Sequence, residues 1–260
     1  MDEKRIAGLG DELFDALATR CPVEPLTSRH PGLSIDDAYA IQERLIARRV
    51  AAGEKLVGKK IGVTSQAVMN LLGVRQPDFG MLTDSMWYRD AGTIATKTLI
   101  QPKAEAEIAF RLKRDIKGPG VTASDVLAAT ESVMACFEIV DSRIRNWNIA
   151  IQDTVADNAS CGLFVTGKRT VDPHDVDLTD CAMTMEKNGK PVAEGRGYAT
   201  LGSPLNAVAW LANELGQRGV SLRAGEIVLS GALGAMVPVV AGDYLKMQVS
   251  GIGSCSISFI

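Results

Sequence analysis

Histidine is scarce: only His30 and His174 occur among 260 residues. Each lies in a polar, proline-flanked stretch expected to be a loop, so a Ser-His-Asp triad or a histidine-rich metal site is not expected. Acid–base chemistry must then rest on Asp, Glu, Lys or a metal-bound water. No Cys-x-x-Cys pair is present. The five cysteines, Cys21, Cys136, Cys161, Cys181 and Cys255, are odd in number and widely spaced. That argues against a disulfide framework or a zinc site and for reduced thiols in the cytoplasm. Nor is there an excess of basic charge. The 28 Lys and Arg against 31 Asp and Glu leave a net charge of −3, unlike a nucleic-acid binder. No apolar run approaches the roughly 20 residues that span a bilayer, so no membrane partner is expected. The N-terminal Met1-Asp2-Glu3-Lys4-Arg5-Ile6-Ala7-Gly8 has no apolar stretch behind its charges and is not expected to be a signal peptide.

Apolar residues at 46% and charged residues at 23% are ordinary globular values, which excludes wholesale disorder. The length allows one large domain or two small ones. Residues 1–55 carry helical periodicity. Ile6, Leu9, Leu13, Phe14 and Leu17 share one stripe, and Ala38, Ile41, Leu45 and Ile46 another. Ser34, followed by Asp37, has the spacing of a capping box. The expectation is a helical hairpin serving as support.

From residue 56 to 260 the pattern changes to short β-branched runs bounded by Gly, Pro and Asp. Strands are expected at Leu56–Val63, Thr98–Pro102, Glu105–Leu112, around Ile139–Val140, and at Gly162–Val165, Met183–Lys187, Ile227–Ser230, Leu245–Ser250 and Ser254–Ile260. Helices are expected at Ser65–Leu72, Ala123–Cys136 and Pro204–Leu215. Asn188-Gly189 signals a hairpin. Strands and helices do not alternate regularly. The expected class is α+β, with a β-rich curled sheet or barrel after the helical part.

The sharpest chemical signal is Glu105-Ala106-Glu107 in a strand. Residues two apart share a face, so both carboxylates point the same way, with Cα atoms roughly 6.6 Å apart. A hard divalent cation such as Mg²⁺ or Mn²⁺ would relieve their repulsion. A solvated polar strand face accounts for the motif equally well. Glu138 lies inside an apolar run, Cys136-Phe137-Glu138-Ile139-Val140, where a carboxylate needs a metal or an ion pair with Arg143 or Arg145. In Gly58-Lys59-Lys60-Ile61-Gly62-Val63-Thr64-Ser65, alternation turns one lysine inward, where it could bind a carboxylate or move protons. Two exposed lysines would read the same. Asp78, in Gln76-Pro77-Asp78-Phe79-Gly80, fits a simple turn former. The small polar stretch Asp153 to Cys161 fits either a substrate loop or a capped connection. Gly231-x-x-Gly234 reads as a turn, and Trp87, Trp147 and Trp210 as packing residues.

At these residues the chain resembles the fumarylacetoacetate hydrolase superfamily. Within it, the chain is similar to the 2-oxopent-4-enoate (2-hydroxypenta-2,4-dienoate) hydratases of bacterial meta-cleavage pathways for aromatic compounds. The matching stretches run nearly the whole length: Pro25 to Ser28, Gly58 to Ser65, Gln76 to Gly80, Leu99 to Phe110, Lys117 to Gly120, Phe137 to Arg145, Ile151 to Val165 and Leu201 to Pro204. The resemblance implies a small helical N-terminal part and a β-rich catalytic domain. It implies Mg²⁺ or Mn²⁺ on Glu105, Glu107 and Glu138, with Lys60 and Asp78 as catalytic residues. It implies substrate contacts at Thr64, Ser65, Ser160 and Leu163. The substrate would be a small 2-oxo or 2-hydroxydienoic acid. The chain would form a homo-oligomer and could associate with the related 4-oxalocrotonate decarboxylase.

Three rivals remain. The 4-oxalocrotonate decarboxylases of the same superfamily share the carboxylates and the lysine. Acylpyruvate hydrolases usually need a Glu–His pair, which His30 and His174 are poorly placed to supply. A non-catalytic partner subunit would need none of the intact acidic and basic set. One departure from the hydratases is Gly195-Arg196-Gly197-Tyr198-Ala199-Thr200, where Arg196 and Tyr198 replace smaller residues and could alter substrate range or an interface.

Overall fold

The computed structural model describes residues 1–260. Helix α1 (Glu3–Thr19) starts where the Asp2 carboxylate accepts from the Arg5 N–H. A short turn of helix, α2 (Leu26–Arg29), follows, then α3 (Ile35–Ala51). The α3 start is the expected capping box: Ser34 Oγ accepts from the Asp37 N–H, and the Asp37 carboxylate accepts from the Ser34 N–H. α1 packs on α3, and Asp11 ties them through Arg44 and Arg48. Leu9, Leu13, Ile41 and Leu45 belong to the same 48-residue core cluster as Ile61, Phe79 and Phe137. The helical part therefore shares the core of the β-rich part instead of building its own.

The rest runs β1 (Leu56–Gly62), α4 (Gln66–Leu72), β2 (Asp78–Thr83), β3 (Trp87–Arg89), β4 (Gly92–Ile94), β5 (Lys103–Leu112), α5 (Ala123–Ala129) and β6 (Thr130–Val140). It continues α6 (Ile151–Ala156), β7 (Cys161–Thr166), β8 (Ala182–Lys187), β9 (Lys190–Arg196) and α7 (Pro204–Gln217). It ends with β10 (Ile227–Leu229), β11 (Val237–Pro238), β12 (Tyr244–Val249) and β13 (Gly253–Phe259). The larger sheet has the order β2-β1-β10-β5-β6-β7-β3, with β11 also on β5, and the smaller has the order β4-β13-β12-β8-β9. Parallel and antiparallel pairs mix in both. The larger sheet curls until β2 meets β7. There the Asn158 side chain accepts from the Met81 N–H and donates to the Met81 carbonyl, which ties the turn before β7 to β2. The fold is the expected α+β arrangement. No helix is long and apolar enough to cross a membrane.

Three elements differ from the sequence expectation. The helix expected over Ala123–Cys136 ends at Ala129, and Thr130 already begins β6. Ten of the eleven β6 residues are buried, so the run is apolar on both faces and its periodicity does not separate strand from helix. The strand expected at Thr98–Pro102 is absent. The N–H groups of Ile100 and Gln101 donate to the Asp141 carboxylate, and Pro102 has no N–H to offer a ladder. Asp78 opens strand β2 instead of sitting in a turn.

A buried ion pair holds the end of β6 to the turn before β7. Arg143, 1% exposed, meets the Asp157 carboxylate and donates to the carbonyls of Asp141, Cys161 and Asp157. Replacing Arg143 with Ala strands a buried carboxylate and three carbonyls. The expected loss is about 3–5 kcal/mol in urea unfolding; a loss below about 1 kcal/mol would remove the clamp from the account.

Candidate active site and metal centre

Strand register builds the site. Glu105 pairs directly with Glu138 across β5 and β6, and Glu107 pairs with Cys136. By the alternation of side chains all four point to one face. On the same face Lys60 of β1 lies opposite Leu229 and Gly80, and Gly62 lies opposite Asp78. The carboxylate oxygens of Glu105, Glu107 and Glu138 come within 4.8 Å of one another. Lys60 Nζ lies 3.2 Å from Glu138 Oε1. The ion pair that Glu138 could have made with Arg143 or Arg145 does not form; those arginines bind Asp157 and Glu24. The neighbouring Lys59 points to the other face and pairs with Glu226.

Beneath the carboxylates lies an apolar cluster that includes Leu82, Met134, Phe164 and Leu229. It keeps water out and raises the cost of charge. Burial, and then the neighbouring Glu138, push the Glu105 carboxyl up to about 7, and the same causes hold Glu107 well above the usual carboxylate range. Burial also raises Asp78, helped by Glu138 and opposed by Lys60. Burial works against the Lys60 ammonium, but Glu138 and Asp78 outweigh it and hold it above the ordinary lysine value.

The donor set fits a divalent cation. Glu107 Oε1 and Glu138 Oε2 are buried without a hydrogen-bond partner and Glu138 Oε1 has only the Lys60 ammonium at 3.2 Å, while Glu107 Oε2 accepts from the Gly231 N–H at 2.7 Å. Unsatisfied buried carboxylate oxygens converging on one point are what a hard, oxygen-preferring ion requires.

Glu105, Lys60 and Asp78 line a cavity of about 550 Å³ together with Thr64, Ser65 and Ser160, while Glu107 and Glu138 are fully buried beside Glu105 and do not line it. Leu163 is not part of that lining; it pairs with Ile139, on the opposite face to Glu138. His30 and His174 also lie away from it, and Arg196 binds Asp180 at the surface. Two functional positions were not visible in the sequence. A Cβ at Gly62 would come 2.2 Å from Asp78 Oδ1, so only glycine leaves room for that carboxylate beside Lys60. Gly231, at φ +103°, lies so close to Thr64 that a Cβ would come 2.4 Å from its hydroxyl. Trp147, expected to be a packing residue, lines the cavity.

Comparison with known proteins gives the family. Residues 61–259 match the family model described as fumarylacetoacetate (FAA) hydrolase C-terminal. The chain belongs to the fumarylacetoacetate hydrolase family. A 2-hydroxyhexa-2,4-dienoate hydratase of Comamonas testosteroni is 54% identical over 260 residues, 99% of this chain and 98% of that one. A 2-hydroxypent-2,4-dienoate hydratase of Pseudomonas putida is 60% identical over 222 residues, 85% of this chain and all of the relative. Among solved structures of the family, 4-oxalocrotonate decarboxylase from Pseudomonas putida G7, complexed with magnesium and adipate, superposes with a TM-score of 0.97 at 38% identity. That match covers 100% of this chain and 99% of the other.

Three outcomes are expected. A carboxyl whose folded pKa is raised binds more protons folded than unfolded, so its contribution to stability is lost as pH rises through the raised value. In EDTA the melting temperature should therefore fall as pH rises from about 5 to 8, and a divalent cation should reverse the fall. Metal affinity should rise over the same window because binding displaces protons. Calorimetry of the Glu107→Ala variant should show a larger loss of metal affinity than the roughly 10–100-fold typical of residues that only support a ligand. Unchanged binding would sink the metal assignment.

Proposed function

We propose that the chain is a divalent-cation-dependent hydro-lyase acting in aromatic catabolism. It adds water to 2-hydroxypenta-2,4-dienoate, the enol of 2-oxopent-4-enoate, and gives 4-hydroxy-2-oxopentanoate. The observation that carries this reading is the converging Glu105, Glu107 and Glu138 set, the last two fully buried, with Lys60 and Asp78 beside it at the wall of one cavity. Two relatives more than half identical, both named as hydratases of 2-hydroxydienoates, support the substrate class.

Glu105, Glu107 and Glu138 would hold Mg²⁺ or Mn²⁺. When bound, the ion supplies Lewis-acid polarisation of the substrate's carboxylate and 2-oxygen. Lys60 holds a fixed positive charge next to those oxygens and orients them. Two proton movements remain. The 2-hydroxyl proton leaves and a proton arrives at C5, which gives the conjugated 2-oxo-3-enoate. Water then adds its oxygen at C4 and a proton arrives at C3. Asp78, buried with its carboxyl pKa raised, is suited to carry one of these protons or to orient the water. Thr64, Ser65 and Ser160 offer hydroxyls along the cavity. Leu163 lies outside that lining.

The decarboxylase reading is favoured by the close superposition on 4-oxalocrotonate decarboxylase. The higher identity to the hydratases outweighs it. Assembly into homo-oligomers and association with a related decarboxylase rest on the family resemblance, and sedimentation of the chain with and without that decarboxylase tests both.

The direct test follows the diene absorbance of 2-hydroxypenta-2,4-dienoate with Mg²⁺, with Mn²⁺ and with EDTA, and identifies the product by NMR. Metal-dependent formation of 4-hydroxy-2-oxopentanoate is expected. Release of CO₂ from 4-oxalocrotonate, with the dienoate untouched, would move the chain to the decarboxylases; inactivity on both would favour the non-catalytic reading. Lys60→Met should lower kcat/KM by about 10²–10⁴-fold.

A further inference from the structure

The cavity is larger than the proposed substrate. A dienoate of eight heavy atoms fills on the order of 200 Å³, counting each atom at somewhat less than the ~30 Å³ share of a water molecule. The cavity holds about 550 Å³. Its charged lining residues are Lys60, Asp78 and Glu105, which belong to the catalytic cluster. Much of the remaining wall is apolar, with Val68, Leu72, Trp147, Ile149 and Met236.

Trp147 is the unusual member of that wall. It sits at φ +55°, next to Asn146 at φ +58°. A left-handed backbone is rare for a bulky side chain, and it persists only where the surroundings hold it. They do so here: the indole N–H donates to the Gln101 carbonyl at 3.0 Å, and Lys103 Nζ lies 4.3 Å from the ring centroid. Lys103 is two residues before Glu105 on β5 and on the same face, so it is the nearest further cation to the carboxylates on that strand. It does not line the cavity, because its ammonium rests against the tryptophan that does.

We propose that Trp147 is a specificity-determining residue. Its ring supplies the apolar surface for an uncharged substituent at C5 of a 2-hydroxydienoate and shields the Lys103 ammonium from the cavity. Resting on the proposed hydration of dienoates, this makes the substrates monocarboxylates that tolerate an alkyl chain of several carbons at C5. A terminal second carboxylate would enter a wall with no cation to pair it.

The test compares kcat/KM of the Mg²⁺-loaded full chain for three substrates. They are 2-hydroxypenta-2,4-dienoate, its C5-propyl homologue 2-hydroxyocta-2,4-dienoate, and 2-hydroxyhexa-2,4-dienedioate. The propyl homologue should lie within about tenfold of the parent, and the diacid at least about a hundredfold below it. In Trp147→Ala the ratio of propyl homologue to diacid should fall at least tenfold, because the apolar surface is lost and Lys103 is uncovered. A diacid turned over as well as the parent, or an unchanged ratio in a folded Trp147→Ala chain, would overturn the proposal. Calorimetry with unreactive acids decides it without the variant or turnover. 2-Oxohexanoate and 2-oxooctanoate should bind at least tenfold more tightly than 2-oxohexanedioate; equal or reversed affinities would overturn it. If the parent dienoate is not hydrated, the proposed reaction fails, while these affinities still decide the character of the wall.

Discussion

Repulsion among three carboxylates organises this protein. Glu105, Glu107 and Glu138 are brought together by strand register over an apolar bed, where like charges cannot all persist without a counter-charge. Lys60 answers part of that charge. The oxygens left without partners on Glu107 and Glu138 leave room for a cation to answer the rest. A protein that needed only stability would not place such groups on two central, largely buried strands. The cost is intelligible as a binding site held ready.

The rest of the fold serves that arrangement. Gly62 gives Asp78 its space beside Lys60, and Gly231 brings a backbone N–H onto Glu107. The curl of the large sheet is tied by Asn158 across to Met81, and Arg143 clamps the turn that carries Ala159 and Ser160 into the cavity wall. Asn158, Ala159 and Ser160 all have positive φ, so this wall is conformationally costly and depends on the clamp. The N-terminal helices contribute through the shared core: the Gln42 side chain donates to the carbonyls of Phe79 and Val155, next to Asp78 and at the end of α6.

Much of this was legible in the sequence because it depends on local periodicity. The Glu105–Glu107 spacing gave a shared face, and the Ser34–Asp37 pair gave a helix start. The Asn188-Gly189 turn joins β8 and β9 with both residues at positive φ. What was hidden depends on contacts distant in sequence. Asp78 looked like a turn former because Pro77 and Gly80 flank it, yet pairing with β1 makes it the first residue of a strand. Thr98–Pro102 looked extended, but its N–H groups are taken by Asp141, about forty residues away. The doubly buried β6 carries no alternation from which its start could be read. The roles of Gly231 and Trp147 rest on partners between 44 and 124 residues distant or on the cavity itself, and Arg143 pairs with Asp157 instead of Glu138; no motif announces them.

The central claim is that three glutamates hold one divalent ion with positions open to a 2-oxo acid. Water-proton relaxation of the Mn²⁺-loaded chain tests it most directly. The account predicts one tight Mn²⁺ per chain with enhanced relaxation, reporting exchangeable water on the ion, and a clear fall when 2-oxopentanoate is added. Enhancement that ignores the 2-oxo acid, or no tight Mn²⁺ at all, would contradict it.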